Sequence, residues 1–450
     1  MDGHLLIQNA TLILPDRVVE GDLRVSDGSI ATIAPGGGLD AGSNEAVIDA
    51  TGLHLLPGAI DPHVHFREPG STEKEDLESG SRAAAAGGVT AFLDMPNNDP
   101  NATNRATLER KIAIASKKSV THHGFFIGAT NDNITDLQSV EGMEGVCGIK
   151  IFMGSSTGDL LVDQQKQLEN IFANTGGIIA THAEDEERLQ QRSAKFEHRT
   201  DIASHAECRD VECAFLATKR AASLAKDHDH RLHIVHLTSQ KEADWLQKNK
   251  GDLITTEVCT QHLTFDQDDV ESLGERVLMN PPIRYTEDRD SLWRRLKDGT
   301  IDCVVTDHAP HTLKSKSVGF PDAPAGMPGV ETSLPLMLTH ALDGKCSVSE
   351  VVSWMCEGPA KVYGIQNKGS LIEGYDADLT LVDLETKRTI TDADTWTRVG
   401  WTPYDGMELT GWPRYTIVDG EIVHKREENG SLRGLPVALP GSVGRALRFG

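Results

Sequence analysis

The sequence predicts an α/β protein: a (β/α)8 barrel accompanied by a small sheet assembled from both ends of the chain. Eight short apolar segments alternate with Ala-, Leu- and charge-rich stretches of helical character, the pattern of repeated βα units. Polar residues of unusual type, chiefly His, stand at the ends of several of these segments. Short alternating segments separated by Asp, Gly and Pro occupy both termini.

In chain order, Leu5 to Ile7, Leu12 to Leu14, Leu23 to Val25 and Ile30 to Ile33 have the alternation of half-buried strands, with Asp27-Gly28 as a turn. The barrel strands are expected at Leu55 to Ile60, Val89 to Leu93, Gly124 to Ile127, Val146 to Ile151, Ile178 to Ala180, Leu232 to Val235, Leu253 to Val258 and Ile301 to Val305. Eight is the number that closes a barrel of this type. Leu379 to Val382, Thr416 to Val418 and Glu421 to Val423 return to strand texture, with Asp419-Gly420 as a tight hairpin. The expected division is a sheet body from residues 1–54 and 366–429, a barrel over 55–365, and an extended surface arm over 430–450. The Gly154 to Gly158 loop, with Thr157, has the composition of a mobile lid.

The chain has 450 residues, enough for a barrel of 250 or more and a second body. With 44 Lys and Arg against 68 Asp and Glu, its net charge of -24 disfavours nucleic acid and anionic membrane as partners. An anionic substrate would need its own local positive pocket. Seven scattered cysteines without a CxxC argue against a disulfide framework or a thiolate zinc knuckle, so a reducing compartment and a cytoplasmic protein are expected. No apolar run is long enough to span a bilayer.

His63 and His65 flank Val64 with strand period, so both imidazoles face one side and suit one cation. A lone His-x-His also arises by chance. His182, His236 and Asp307, each at a later strand end, shift the balance, because in a barrel all these ends meet at one mouth. Four His and one Asp are donors for zinc or a similar divalent ion, with too few oxygens for calcium or magnesium. Lys150, within Gly148 to Met153, is either a snorkelling surface group or an amine with a depressed pKa. A neutral amine can add carbon dioxide, and the resulting carbamate has two oxygens able to bridge two cations.

The segments Asp61-Pro62-His63-Val64-His65-Phe66-Arg67-Glu68-Pro69-Gly70, Asp94-Met95-Pro96-Asn97-Asn98, Asn280-Pro281-Pro282 and Asp307-His308-Ala309-Pro310-His311-Thr312 together resemble the dihydroorotase branch of the amidohydrolase superfamily. His-x-His is common to the superfamily; the Phe66 to Gly70 and Asp307 to Thr312 segments are more specific to that branch.

The resemblance implies that the terminal sheet is a small β-sandwich and the barrel a metal-dependent amidohydrolase barrel. It implies two Zn2+ per chain, other divalent metals being alternatives. His63, His65 and Asp307 would ligate the more buried ion and His182 and His236 the more exposed one. Carbamylated Lys150 (N6-carboxylysine) and a hydroxide would bridge them. Asp307 would serve as the catalytic base and then acid. Arg67, Asn97 and His311 would clamp a substrate carboxylate, a role that a planar guanidinium fork, an amide N–H and an imidazole suit chemically; Asn280 and Gly326 would present backbone groups to the ring.

The implied reaction is reversible hydrolysis of (S)-dihydroorotate to N-carbamoyl-L-aspartate in de novo pyrimidine biosynthesis. The rivals are allantoinase or a hydantoinase/dihydropyrimidinase and, from a different class, a non-catalytic assembly scaffold. A homo-oligomer, dimer or tetramer, is expected, and association with aspartate transcarbamoylase follows from family analogy alone. His308 is expected to pack or orient rather than ligate, Asp94 to stabilise the mouth, and His122, His123, His198, His205 and His233 carry no matched role.

Overall fold

The computed structural model describes residues 4–156, 160–427, 430–434 and 443–450. Thr157 and part of the expected C-terminal arm lie outside the described residues.

Eight parallel strands form the barrel: β1 (Ala59–Val64), β2 (Val89–Asp94), β3 (His122–Gly128), β4 (Val146–Phe152), β5 (Ile178–His182), β6 (Arg231–Ile234), β7 (Ile254–Cys259) and β8 (Cys303–Val305), each hydrogen-bonded to the next in sequence order. The ring closes where Thr306 and His308 follow β8: the Thr306 hydroxyl donates to Asp61 at 2.5 Å, and His65 N donates to the His308 carbonyl at 2.8 Å. Helices between the strands bury their small and aliphatic faces on the barrel's outside. In Leu77–Ala86 the buried residues are Leu77, Gly80, Ser81 and Ala83 to Ala86, and Asp76 caps its N-terminus by accepting from Ser79 N.

The second sheet joins both ends of the chain. Its path runs Glu421–Lys425, Trp412–Val418, Leu379–Asp383, His54–Pro57, His4–Ile13, Val18–Ser26, Ser29–Pro35, and Ala46–Asp49 pairs separately with His4–Ile13. It encloses its own core of Leu12, Leu23, Val25, Leu55, Leu379, Leu381 and Ile417, forming the small β-sandwich body. Each such side chain contributes roughly 1.5–3 kcal/mol by burial. Asp27-Gly28 (φ 50 and 75) and Asp419-Gly420 (φ 46 and 79) form tight hairpins, the left-handed pairs that match strand twist.

The expected first barrel strand, Leu55 to Ile60, is in fact two. His54–Pro57 belongs to the terminal sheet, and the chain crosses into the barrel at Gly58, where an added Cβ would lie 2.1 Å from the Thr90 hydroxyl. Only glycine allows that approach. Two of the predicted N-terminal segments fuse into His4–Ile13 through a register shift between Ile7 and Ala10. The described end of the chain is not confined to the surface: Leu447 is buried, and the Phe449 ring lies against Gly124 of β3.

Candidate active site

The C-terminal ends of the barrel strands converge on one pocket lined by His63, His65, Arg67, Asn97, Lys150, His182, His236, Asn280, Asp307 and Gly326. The residues singled out in the sequence thus meet at one mouth, with His311 immediately behind Arg67, its Nε2 3.4 Å from Arg67 Nη2. Three of the convergent residues, Arg67 (φ 61), His236 (φ 39) and Asp307 (φ 48), hold left-handed backbone conformations. That geometry costs an L-residue about 1–2 kcal/mol, and such strain gathers at functional sites because the surrounding fold enforces it.

One group of donors is close-set: a ring nitrogen each of His63 and His65 and a carboxylate oxygen of Asp307 all lie within 4.8 Å of one another. Asp307 Oδ1 is 3.3 Å from His63 Nε2 and 2.9 Å from His65 Nε2. Burial pushes the Asp307 carboxyl up, but His63 and His65 outweigh it and leave the group below its ordinary value. Beside these, His182 Nδ1 and His236 Nε2 are 2.9 Å apart. Burial drives both imidazoles below their ordinary pKa, and His65 to about 4, so all three are neutral donors at physiological pH.

Three of the four rings are aimed from behind. His63 Nδ1 is held by Glu257 Oε1 at 2.5 Å, His65 Nδ1 by Asn97 Oδ1 at 2.6 Å, and His182 Nε2 by Glu184 Oε2 at 2.8 Å. Glu257 also receives His233 Nε2 at 2.9 Å, and Glu184 pairs with Arg209 at 2.7 Å. Desolvation raises both acids, but these cations and imidazoles hold them well below the usual carboxylate range. A neutral imidazole with one nitrogen anchored and the other turned to a shared space is the arrangement of a metal-ligating histidine.

Lys150 is buried in β4 with no hydrogen-bond partner for Nζ, which lies 5.1 Å from the Phe152 ring centroid. Burial lowers its pKa to about 8, against the opposing pull of Glu257 and Asp307. Of the two readings that the sequence left open, the snorkelling lysine is therefore excluded. An orphaned buried amine among His and Asp donors fits a group that acquires an anionic cap, so the donor set suits divalent metal.

Arg67 is buried with Nε unpartnered, and burial lowers its pKa to about 10. His311 is pushed down to about 2 by burial and then by Arg67. The neutral ring and the cation together make the local positive pocket that an acidic protein needs for an anionic ligand. Gly326 (φ 126) sits so close that a Cβ would meet the Ala309 carbonyl at 2.5 Å and His311 Cδ2 at 3.1 Å.

The supporting acids Glu257, Glu184 and the cation Arg209 were not singled out in the sequence. Glu257 had a visible signal: like Lys150, it is a charged residue inside an apolar strand. Other expected bystanders have structural contacts. Asp94 accepts from Phe66 N at 2.8 Å and pairs with Lys111 at 2.7 Å. His308 Nδ1 accepts from Gly329 N at 3.0 Å, and His205 Nε2 meets the Met279 carbonyl at 3.0 Å.

The model of the amidohydrolase family matches residues 54–423. A dihydroorotase of Methanosarcina acetivorans is 34% identical over 98% of this chain and 96% of its own length, and a dihydroorotase of Halobacterium salinarum is 36% identical over 84% and 88%. Among solved structures, an L-hydantoinase (dihydropyrimidinase) from Arthrobacter aurescens superposes with a TM-score of 0.92 at 28% identity, covering 99% of this chain and all of that one.

Proposed function

Since the chain belongs to the amidohydrolase family, we propose that it is a dihydroorotase, interconverting (S)-dihydroorotate and N-carbamoyl-L-aspartate in pyrimidine synthesis. It is a cyclic amide hydrolase acting on a small molecule. Among the described residues no helix is long and apolar enough to cross a membrane. The observation that carries the substrate assignment is the buried Arg67–His311 pair opening onto the donor cluster. A ring substrate without a carboxylate gives this cation nothing to bind. The likeness to hydantoinase structures favours a second reading, an uncharged cyclic ureide as substrate, and Arg67 argues against it.

The residues fit divalent metal, and zinc is the ion we propose, other divalent metals being alternatives. His63, His65 and Asp307 would hold one ion and His182 and His236 a second, with carboxylated Lys150 between them. At a pKa of about 8, roughly a tenth of Lys150 is neutral at pH 7. The free amine attacks carbon dioxide, forming a C–N bond and releasing one proton. Bound divalent ions polarise a carbonyl and bring the pKa of water towards neutrality. Arg67, Asn97 and His311 orient the substrate carboxylate. Asp307 accepts the proton lost by the attacking water and returns it to the departing ring nitrogen, acting as base and then acid. Backbone groups of Asn280 and Gly326 flank the ring.

The proposal also divides the chain into sandwich segments 1–54 and 366–429, a barrel at 55–365 and a terminal segment 430–450. It includes a cytoplasmic homo-oligomer, dimer or tetramer, with association to aspartate transcarbamoylase resting on analogy. The testing experiment is a substrate panel with metal content measured in parallel. Turnover of dihydroorotate well above that of hydantoin, dihydrouracil and allantoin supports the reading. Preference for any of the latter three overturns it.

A further inference from the structure

Lys316 is buried in the segment that follows His311, and among the described residues it forms no ion pair. A lysine in that state is unusual, because burial penalises the ammonium unless its protons are all taken. Here three backbone carbonyls take them: Leu278 at 3.1 Å, Pro324 at 2.9 Å and Gly326 at 3.0 Å. An ammonium has three donors, so the set is complete.

The three carbonyls belong to two separate loops. Leu278 precedes Met279 and Asn280, and Pro324 precedes Ala325 and Gly326; these four neighbours all line the pocket. The loops also touch directly, with Gly326 N donating to the Leu278 carbonyl at 2.8 Å. That carbonyl therefore receives both Gly326 N and Lys316 Nζ. Lys316 lies five residues beyond His311, in a short turn whose start is capped by Thr312 accepting from Ser315 N at 3.2 Å. The segment that sets His311 against Arg67 thus also fastens the adjoining wall.

We propose that Lys316 is a positioning residue that ties the Asn280 loop to the Gly326 loop, giving the pocket one fixed wall against the substrate ring. This rests on the pocket being the substrate site. An apolar side chain would fill the same volume without the penalty of a buried charge. The lysine's distinctive contribution is to hold three carbonyls in a common orientation, including the one on Gly326.

The test compares wild type with Lys316→Met by hydrogen exchange, steady-state kinetics on dihydroorotate and metal content. The tie predicts faster amide exchange confined to 278–283 and 323–327, unchanged metal content, KM raised about 10-fold or more and kcat within about 3-fold, the pattern of lost uniform binding. Unchanged exchange in both loops overturns it, as does a fall in kcat and metal content with KM unmoved. Lys316→Gln covers a methionine variant that does not fold: with one donor fewer it is expected to raise KM about 3-fold with the same loop-confined exchange, and wild-type behaviour in that variant overturns the tie. A wild-type protein that ignores dihydroorotate defeats the substrate assignment, while the exchange comparison still decides on Lys316.

Discussion

Glu257 accepts the Nδ1 proton of His63 at 2.5 Å while its other oxygen receives His233 at 2.9 Å. One buried carboxylate in β7 thereby fixes the tautomer of a residue on β1, two strands away around the ring. In Glu257→Gln the negative charge is lost and His63 can rotate. Metal affinity is expected to fall about 10–100-fold, as for other residues that orient metal ligands. Titration with a competing chelator reads this directly; unchanged affinity would show Glu257 to be a packing residue.

Intact-mass measurement under native conditions is expected to show an increment of one carbon dioxide on the wild type and its loss in Lys150→Met. Metal per chain should drop at the same time. A wild-type chain that is active and carries an unmodified Lys150 would refute the bridging role.

Arg67→Met should weaken ground-state and transition-state binding alike. A hydrogen bond to a charged group contributes about 1.5–3 kcal/mol, so KM for dihydroorotate is expected to rise roughly 10–100-fold. Turnover of uncharged ureides should be unaffected, which initial rates across the substrate panel would reveal.

Asp307→Asn keeps the shape of the side chain and removes its basicity. The expected outcome is a folded protein with kcat lowered at least about 10²-fold, the usual contribution of a positioned acid-base group. Circular dichroism and rate measurements on the same sample check both halves.

Glu331 offers a pH test away from the mouth. It is buried and accepts from Trp396 N at 2.7 Å, and burial lifts its carboxyl to about 8. The folded state therefore binds a proton that the unfolded chain releases near pH 4.3, so this group's contribution to stability declines as pH rises from there to about 8. Glu331→Gln should raise the melting temperature at pH 8, with the gain shrinking towards pH 5. Equal gains at both values would be inconsistent with a raised carboxyl.

The barrel was legible because buried parallel strands are short apolar runs, and those between Val89 and Val305 stand apart in the sequence. The start of the barrel was not, since His54–Pro57 and Ala59–Val64 are both apolar and only tertiary pairing assigns them to different sheets. The His, Lys and Asp donors were legible because such residues at strand ends are chemically out of place. Glu184 and Arg209 escaped notice because an exposed surface pair has the same residue types; what distinguishes them is the buried contact with His182.

His54–Pro57 lies between His4–Ile13 and Leu379–Asp383, so one edge of this strand waits for a partner synthesised roughly 320 residues later. At about 5–20 residues per second, translation leaves that edge bare for some twenty to sixty seconds. An unpaired strand edge is a template for wrong pairing. On the ribosome, the body at the chain's two ends therefore stays incomplete until Leu379–Asp383 emerges, the interval in which chaperone shielding of that edge matters.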